Sequence, residues 1–291
     1  LYMAEFGGTF TIFDVSDLSA PSEVGSVAIN VGANAVVTNG NYAYCLGPSY
    51  TDIIDLTSPS SPSNIAAPNV AGNDAVFNAG GDTMYIGNDY FGVEVWDVSD
   101  PASATKLGET VIKGYYYDPD AWDADPDASN AVYDLFLDES SSRLYVGHEE
   151  GVGVVDVSDS ANPAQIDIES VGDEDQWVNE FIYFSGGADA LQLDGTTLYC
   201  AGDDEFAVFD VTSLTAIERT VGLDIDPLFD EEYDGIGRAN DLFVDTSNDL
   251  AYVGDYDEGL YVMDISSPAS PSLVATHLRE GTSFVSYFLT V

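Results

Sequence analysis

The chain has 291 residues, of which 45% are hydrophobic and 12% aromatic, enough to bury a sizeable core. Its 52 acidic residues face only 6 lysines and arginines, and the resulting net charge of -46 repels phosphate backbones and anionic lipid surfaces, which excludes direct binding to nucleic acid or to anionic membranes. No segment approaches the roughly 18 uninterrupted apolar residues of a membrane helix.

The acids are mostly aspartate, which favours turns and oxygen-ligand cation sites. This balance is typical of a protein from a high-salt environment or a calcium-rich exterior, and we expect a secreted or cell-surface location. The chain begins in strand-like sequence at Leu1 without a start methionine or signal peptide, so we expect it to be a processed or excised piece.

A short signature of the form apolar-Asp-apolar-Ser/Thr recurs six times along the chain. Serine, proline and alanine follow most copies, as expected for turns. The copies begin at Phe13, Ile54, Trp96, Val155, Phe209 and Met263.

A second short strand lies about ten residues upstream of each signature. These strands contain Tyr2, Tyr44, Tyr85, Tyr145, Tyr199 and Tyr252. Hairpin residues such as Asn39-Gly40 and Asp194-Gly195 join five of them to an earlier, inner strand. A fourth strand follows each signature, as at residues 23–29, 106–112 and 273–277.

Four strands per unit and about 48 residues per repeat predict a single all-β domain, a six-bladed β-propeller. The predicted blades comprise residues 1–32 with 283–291, then 33–72, 73–130, 131–187, 188–238 and 239–282. Only five inner strands precede the last segment, so residues 284–291 are predicted to pair antiparallel to residues 1–4 and to close the ring.

The signature strands at residues 92–101 and 153–159 resemble those of the LVIVD-repeat propellers, and the resemblance covers essentially the whole chain. It implies a propeller fold in a family of secreted and surface proteins of bacteria and archaea, often without assigned activity. Blades two and five depart from the motif, with Leu56-Thr57 and Val211-Thr212 in place of Val-Ser.

Sixfold equivalence argues against a catalytic role for the signature aspartates, and we predict that each accepts backbone N–H groups in the following turn. Cys45 and Cys200 occupy an apolar core column in blades two and five, on opposite sides of the ring. They are therefore predicted to be buried thiols without a disulfide.

Strand order places every long insertion on one face, at residues 113–130, 172–187 and 223–238. The first insertion alternates aspartates with prolines, a pattern that can converge carboxylates on one Ca²⁺. Its register is an imperfect match to an EF-hand loop, because Ala128 replaces the glycine and Asp134 the bidentate glutamate. A solvated acidic loop is the alternative. The candidate calcium ligands are Asp118, Asp120, Asp123, Asp125 and Asp127.

Aromatic rings among these acids are suited to a protein-binding or sugar-binding platform, although they could equally pack the loops onto the blades. The candidate binding residues are Tyr115, Tyr116, Tyr117, Trp122, Asp173, Asp175, Trp177, Asp230, Tyr233 and Asp234. A further ring of amides and carboxylates is predicted at the mouth of a central channel, where it could hold water or a cation. That ring contains Asn34, Asn73, Asp189, Asn240 and Asp241.

The sequence offers few candidate catalytic residues, because only His148 and His277 could act as near-neutral acid–base groups and no nucleophile motif accompanies them. We therefore assign no catalytic residue. The favoured interpretation is a non-enzymatic binding or assembly module whose partner is a surface protein, a glycan or copies of itself. The alternatives are a calcium-dependent glycosidase or lyase on the same face, and a structural subunit of a surface layer or filament.

Overall fold

The computed structural model describes residues 1–5, 7–30, 32–88, 92–113, 131–148, 151–169, 171, 177–178, 181–182, 187–202, 205–224, 239–255 and 259–278. Only the backbone is described for residues 177–178, 181–182, 224, 240 and 278. The chain forms two compact units, one of Leu1–Val111 with Ser158–Pro163 and one of Ile112–Val157 with Ala164–Val291. The predicted closing strand at residues 284–291 lies outside the described residues.

The first unit contains three antiparallel sheets, which we number I to III. Sheet I contains β1 (Tyr2–Glu5), β2 (Thr9–Asp14) and β3 (Ser22–Ala28). Sheet II contains β4 (Ala35–Asn39), β5 (Tyr42–Leu46), β6 (Thr51–Asp55) and β7 (Ser63–Ala66). Sheet III contains β8 (Asp74–Phe77), β9 (Thr83–Asn88), β10 (Gly92–Asp97) and β11 (Thr105–Thr110), with a 3-10 turn at Pro101–Ser103.

The second unit contains three four-stranded antiparallel sheets, IV to VI, and a small hairpin. Sheet IV contains β12 (Val132–Asp138), β13 (Arg143–His148), β14 (Gly151–Asp156) and β15 (Ala164–Glu169). The hairpin pairs β16 (Trp177–Val178) with β17 (Phe181–Ile182). Sheet V contains β18 (Ala190–Asp194), β19 (Thr197–Gly202), β20 (Glu205–Asp210) and β21 (Glu218–Asp224), and sheet VI contains β22 (Ala239–Asp245), β23 (Leu250–Asp255), β24 (Gly259–Asp264) and β25 (Ser272–Leu278).

The predicted order of strands is confirmed in sheets II to VI, where neighbours in sequence are neighbours in the sheet. Each second strand carries a tyrosine at the same register, and Tyr44, Tyr85, Tyr145 and Tyr199 are buried. The apolar clusters combine residues of consecutive sheets within a unit, as where Tyr44 of sheet II packs with Met84 of sheet III. Burial between the sheets, rather than within one sheet, therefore supplies the core.

A β-bulge at the same position of all six sheets was not predicted. Pairing of the third strand with the fourth slips by one residue in each sheet, as between Val95 and Trp96 of β10. The extra residue on the fourth strand is Val24, Ile65, Leu107, Ile166, Thr220 or Val274. Bulges bend and twist a strand, and on an outer strand they hinder pairing with another chain.

The residue after the bulge accommodates the signature turn of the next sheet. A Cβ atom on Gly25 would lie 2.5 Å from the Pro59 carbonyl oxygen, and one on Gly108 would lie 2.6 Å from that of Ser160. Only glycine allows so close a backbone approach. Among the described residues, no helix is long and apolar enough to cross a membrane.

Candidate functional site

Strand direction gathers the longest segments at one end of each sheet. The second and fourth strands of a four-stranded meander run parallel, so the hairpin after the second strand and the connection after the fourth leave the sheet where the first strand enters. We call this the connection end. In sheets III to VI the second strands β9, β13, β19 and β23 end there, and so do β11, β15 and β21, which precede the three longest connections in the sequence.

Most residues predicted to bind at the connection end lie outside the described residues. They are Tyr115, Tyr116, Tyr117, Asp118, Asp120, Trp122, Asp123, Asp125, Asp127, Asp173, Asp175, Asp230, Tyr233 and Asp234. Trp177 belongs to β16, of which only the backbone is described. In the described part of the chain, no group of three or more His, Cys, Asp or Glu side chains is placed to hold a metal ion. The calcium site stays a prediction.

Two residues of the predicted channel ring meet in the first unit. The Asn34 side chain donates to Asn73 Oδ1 at 3.1 Å and to the Gly72 carbonyl at 3.2 Å. The backbone amides of Asn34 and Asn73 bond to Leu46 and Gly87, which fixes both residues at the entrance to β4 and β8. These bonds engage the side-chain N–H groups of Asn34.

In the second unit, acidic residues at the inner strands form hydrogen bonds with backbone groups. Asp241 accepts the Leu242 amide at 2.9 Å, and the Asp189 amide donates to the Ala201 carbonyl at 3.0 Å. Asp134 was not predicted as a ring member, yet it accepts the Leu191 amide at 2.5 Å and so joins β12 to β18. Asn240 is described only by its backbone.

The signature aspartates behave as predicted in five of the six copies. Each accepts the amide of the Ser or Thr two residues later at 2.8 to 2.9 Å, and the side-chain and backbone bonds from that residue lower the pKa of the carboxyl. The five are Asp14, Asp55, Asp97, Asp210 and Asp264. The remaining signature aspartate, Asp156, lies 3.2 Å from Arg143 Nη1. The predicted turn bond is therefore confirmed for these five aspartates.

The sequence analysis missed Asp52, a buried carboxylate that joins two segments of the first unit by hydrogen bonds. Asp52 accepts the Asn30 amide at 2.9 Å, the Asn30 side chain at 2.5 Å and the Asn64 side chain at 2.6 Å. It occupies the third-strand position directly opposite Cys45. The sequence signal was a charged residue at a position that is apolar or small in the equivalent strands of sheets IV and V.

Glu94 of β10 is a second buried carboxylate at the equivalent position. Its Oε2 atom accepts the Trp96 indole N–H at 2.8 Å, and its Oε1 atom lies 3.9 Å from Lys106 Nζ. Lys106 contacts the exposed Glu109 more closely, at 2.6 Å. Burial raises the pKa of Glu94, against the opposing effects of the Trp96 bond and the Lys106 charge.

Of the residues that could act as nucleophiles or as acids and bases near neutral pH, His148, Cys45 and Cys200 are buried. Burial lowers the pKa of His148 to about 3, so its imidazole is neutral at physiological pH, and the exposed His277 lies on a different sheet. Cys45 and Cys200 are both buried and neither forms a disulfide, as predicted. Burial, reinforced by the Asp52 charge, raises the pKa of Cys45 to about 12.

The fold now defines the class of protein. Solved structures that superpose on nearly the whole chain include the periplasmic gluconolactonase PpgL of Pseudomonas aeruginosa, at 12% identity and a TM-score of 0.69, covering 97% of this chain and 83% of that one. The β-propeller domain of Cps50 (Swd1) from Myceliophteria thermophila matches at 13% identity and a TM-score of 0.61, covering 94% and 81%. Likeness at such identity shows the fold alone, which is of the β-propeller type.

A known repeat family then matches part of the sequence. Four segments match the LVIVD repeat, at residues 1–29, 32–72, 144–168 and 236–278. The chain thus carries LVIVD repeats in these segments. No curated protein matches its sequence.

Proposed function

We propose that this protein is an extracellular or cell-surface binding module that uses the connection end of its sheets, where acidic and aromatic residues are concentrated. The observation that carries the proposal is the strand order, which leads the three long acidic segments away from the same end of their sheets. Loops carried on a rigid scaffold are the usual location of binding residues. The LVIVD repeat and the periplasmic location of one structural relative support an exterior location.

In the proposed function, bound calcium neutralises the acidic residues around the binding surface. All six acidic residues of residues 113–134 are aspartates, and uncompensated carboxylates would repel most biological surfaces. Bound Ca²⁺ would neutralise Asp118, Asp120, Asp123, Asp125 and Asp127, so that the neighbouring aromatic rings could approach a surface protein, a glycan or another copy.

We also propose that residues 284–291 supply the fourth strand of sheet I and thereby close a six-bladed ring, since β1 has only β2 as a partner among the described strands.

Calcium titration by calorimetry tests this function on the full chain. We expect saturable binding that is lost when Asp123, Asp125 and Asp127 are replaced together by Asn. A control with the same change in charge replaces the exposed Glu23, Glu139 and Glu218 by Gln and should bind normally. Equal loss in both variants would mean that calcium only screens charge. Calcium-dependent cleavage of a polysaccharide would favour the enzyme alternative, and self-association in calcium the structural subunit.

A further inference from the structure

One part of the connection end carries no charge. Three segments meet at this end of sheet II, namely residues 29–30 with 32–34, 46–51 and 66–73, and none contains a charged residue. The hairpins at the equivalent position of sheets III to VI all contain acids, and 52 of the 291 residues of the chain are acidic. We call this surface the charge-free end of sheet II.

Hydrogen bonds hold these segments together as one surface. Thr51, which follows the β5–β6 hairpin, donates its amide to the Pro68 carbonyl at 3.2 Å and its hydroxyl to the Val70 carbonyl at 3.1 Å. The Gly72 amide donates to the Gly47 carbonyl at 3.0 Å, at the other side of the hairpin. The hairpin is thus fixed to the connection between sheets II and III before any ligand arrives, which lowers the entropic cost of binding.

The exposed side chains of this surface are amides, a hydroxyl, a proline and one aromatic ring. Tyr50 is 39% exposed, at the edge of the hairpin. The large aliphatic side chains of the same segments, Ile29, Leu46 and Val70, are buried. The other exposed side chains are Asn30, Asn34, Pro48, Ser49 and Asn69.

We propose that the charge-free end of sheet II binds an uncharged oligosaccharide. An asparagine amide both donates and accepts hydrogen bonds, as does a sugar hydroxyl, and a tyrosine ring offers a flat apolar face to the C–H groups of a pyranose. Asn69 follows Pro68, whose carbonyl accepts the amide of Thr51, the residue after Tyr50, so Asn69 and Tyr50 lie on adjoining stretches of backbone. On the other side of the hairpin, Asn34 bonds to Leu46.

The same features disfavour a protein partner or an anionic glycan. Protein interfaces centre on apolar anchors in desolvated pockets, whereas Tyr50 is the only large apolar side chain exposed on the described residues of this surface. An anionic glycan would be repelled by a molecule of net charge -46, and no local basic group would compensate. The proposal uses none of the acidic loop residues, so it stands or fails independently of the calcium-dependent function.

The experiment measures binding of the full chain to immobilised uncharged oligosaccharides of glucose, galactose, mannose and N-acetylglucosamine, beside uronate-containing and sulfated ones. We expect at least one uncharged series to bind, in EDTA as well as in calcium. Replacing Tyr50→Ala should weaken that binding about tenfold or more, whereas Tyr50→Phe should retain affinity to within about threefold, since the ring remains. Replacing Tyr133→Ala is the matched control, because Tyr133 is 36% exposed in the other unit, and it should leave binding unchanged.

Three outcomes would overturn the proposal: no binding to any uncharged oligosaccharide at millimolar concentration, binding to anionic glycans alone, or equal loss of affinity in the Tyr50 and Tyr133 variants. Melting curves of each variant show whether it is folded. The variant Asp123→Asn, Asp125→Asn, Asp127→Asn separates the two functions, since it should retain oligosaccharide binding even where calcium binding is lost.

Discussion

Arg143 Nη1 lies 3.2 Å from a carboxylate oxygen of Asp156, so that the fourth signature aspartate has a cationic partner. The same guanidinium donates through Nε to the Leu214 carbonyl at 2.9 Å and so joins a hairpin of sheet IV to the signature turn of sheet V. Its side chain is mostly buried, and a lysine could not reproduce this forked geometry. Arg143, Arg219 and Lys106 each form an ion pair with a carboxylate.

Replacing Arg143→Gln should lower the free energy of unfolding by about 2 kcal/mol, because it leaves a partly buried carboxylate and a carbonyl without their donor. Denaturation in urea measures the change. The control is Glu109→Gln, which breaks an exposed pair with Lys106 and should alter stability by no more than about 0.5 kcal/mol. Equal effects of the two substitutions would show that the Arg143 contacts contribute nothing beyond those of a surface pair.

Gly202, at the end of β19, leaves room for the backbone of the segment that precedes β18. A Cβ atom at this position would overlap the Gly187 carbonyl oxygen and contact the Ala188 Cα atom. Since the obstacle is backbone, Gly202→Ala should destabilise by about 3 kcal/mol, at the upper end of the usual overpacking range. Thermal melting measures it. Gly7→Ala is the control, because its Cβ would meet nothing closer than 4.0 Å, and it should be neutral or slightly stabilising.

Two acids of one strand should respond to pH with opposite signs. Burial raises the pKa of Glu94, so ionised Glu94 destabilises the fold at neutral pH and this cost disappears as pH falls through the raised value. Glu94→Gln should therefore stabilise the protein at pH 7 by about 1 kcal/mol, with a smaller gain in acid. Bonds from Ser99 lower the pKa of Asp97, so its contribution is present at neutral pH and lost below about pH 4.

Melting temperatures between pH 3 and pH 7 decide the matter. Asp97→Asn should destabilise at pH 7 and do so progressively less as the pH falls below about 4, whereas the Glu94 variant should stabilise at pH 7. If Glu94→Gln is destabilising at pH 7, the Lys106 and Trp96 contacts outweigh the desolvation of the carboxylate, and the inferred sign is wrong.

Periodicity predicted the parts of the fold that repeat. The order of strands, the signature turns and the buried positions of Cys45 and Cys200 follow from local patterns that recur in every unit, because each repeat must bury the same face. The bulge in every fourth strand could not be recognised from a repeated sequence pattern, because the extra residue is valine, isoleucine, leucine or threonine, like its neighbours in a strand. Its position depends on pairing with the third strand, which a single strand sequence does not encode.

The site was less predictable for a different reason. The Asn34–Asn73 contact was foreseen as part of a ring because both residues precede inner strands. In contrast, the Asp52 clasp depends on Asn30 and Asn64, which lie 22 and 12 residues away in sequence. Such pairings arise only once the chain has folded and brought these residues together, and the sequence signalled only that a charge stood at a core position.

Removing residues 284–291 should lower the melting temperature, because β1 would then present an unpaired edge with the exposed side chains of Tyr2 and Met3. Tyr287→Pro should act in the same direction, since proline cannot donate to a strand ladder. Hydrogen exchange of the β1 amides gives a local measurement and should accelerate in both variants. A truncated chain that melts at the temperature of the full chain would refute the six-bladed, closed arrangement.

Salt and calcium should stabilise this protein in separable ways. Its net charge of -46 makes self-repulsion a leading electrostatic cost of folding, and the ion pairs of Arg143, Arg219 and Lys106 offset little of it. Mobile cations screen charges beyond a Debye length of about 8 Å at physiological salt, so KCl should raise the melting temperature smoothly, without saturating at a fixed stoichiometry.

A specific calcium site would add a saturable increment that grows as RT ln(1 + [Ca²⁺]/Kd). At fixed high KCl, where screening is nearly complete, millimolar calcium should therefore raise the melting temperature further, and chelation should reverse the rise. Replacing Asp123, Asp125 and Asp127 together by Asn should remove much of this second increment and leave the KCl response almost intact. If calcium adds nothing at high KCl, residues 118–127 form a solvated acidic loop, and the acidity of the chain serves adaptation to salt rather than a metal site.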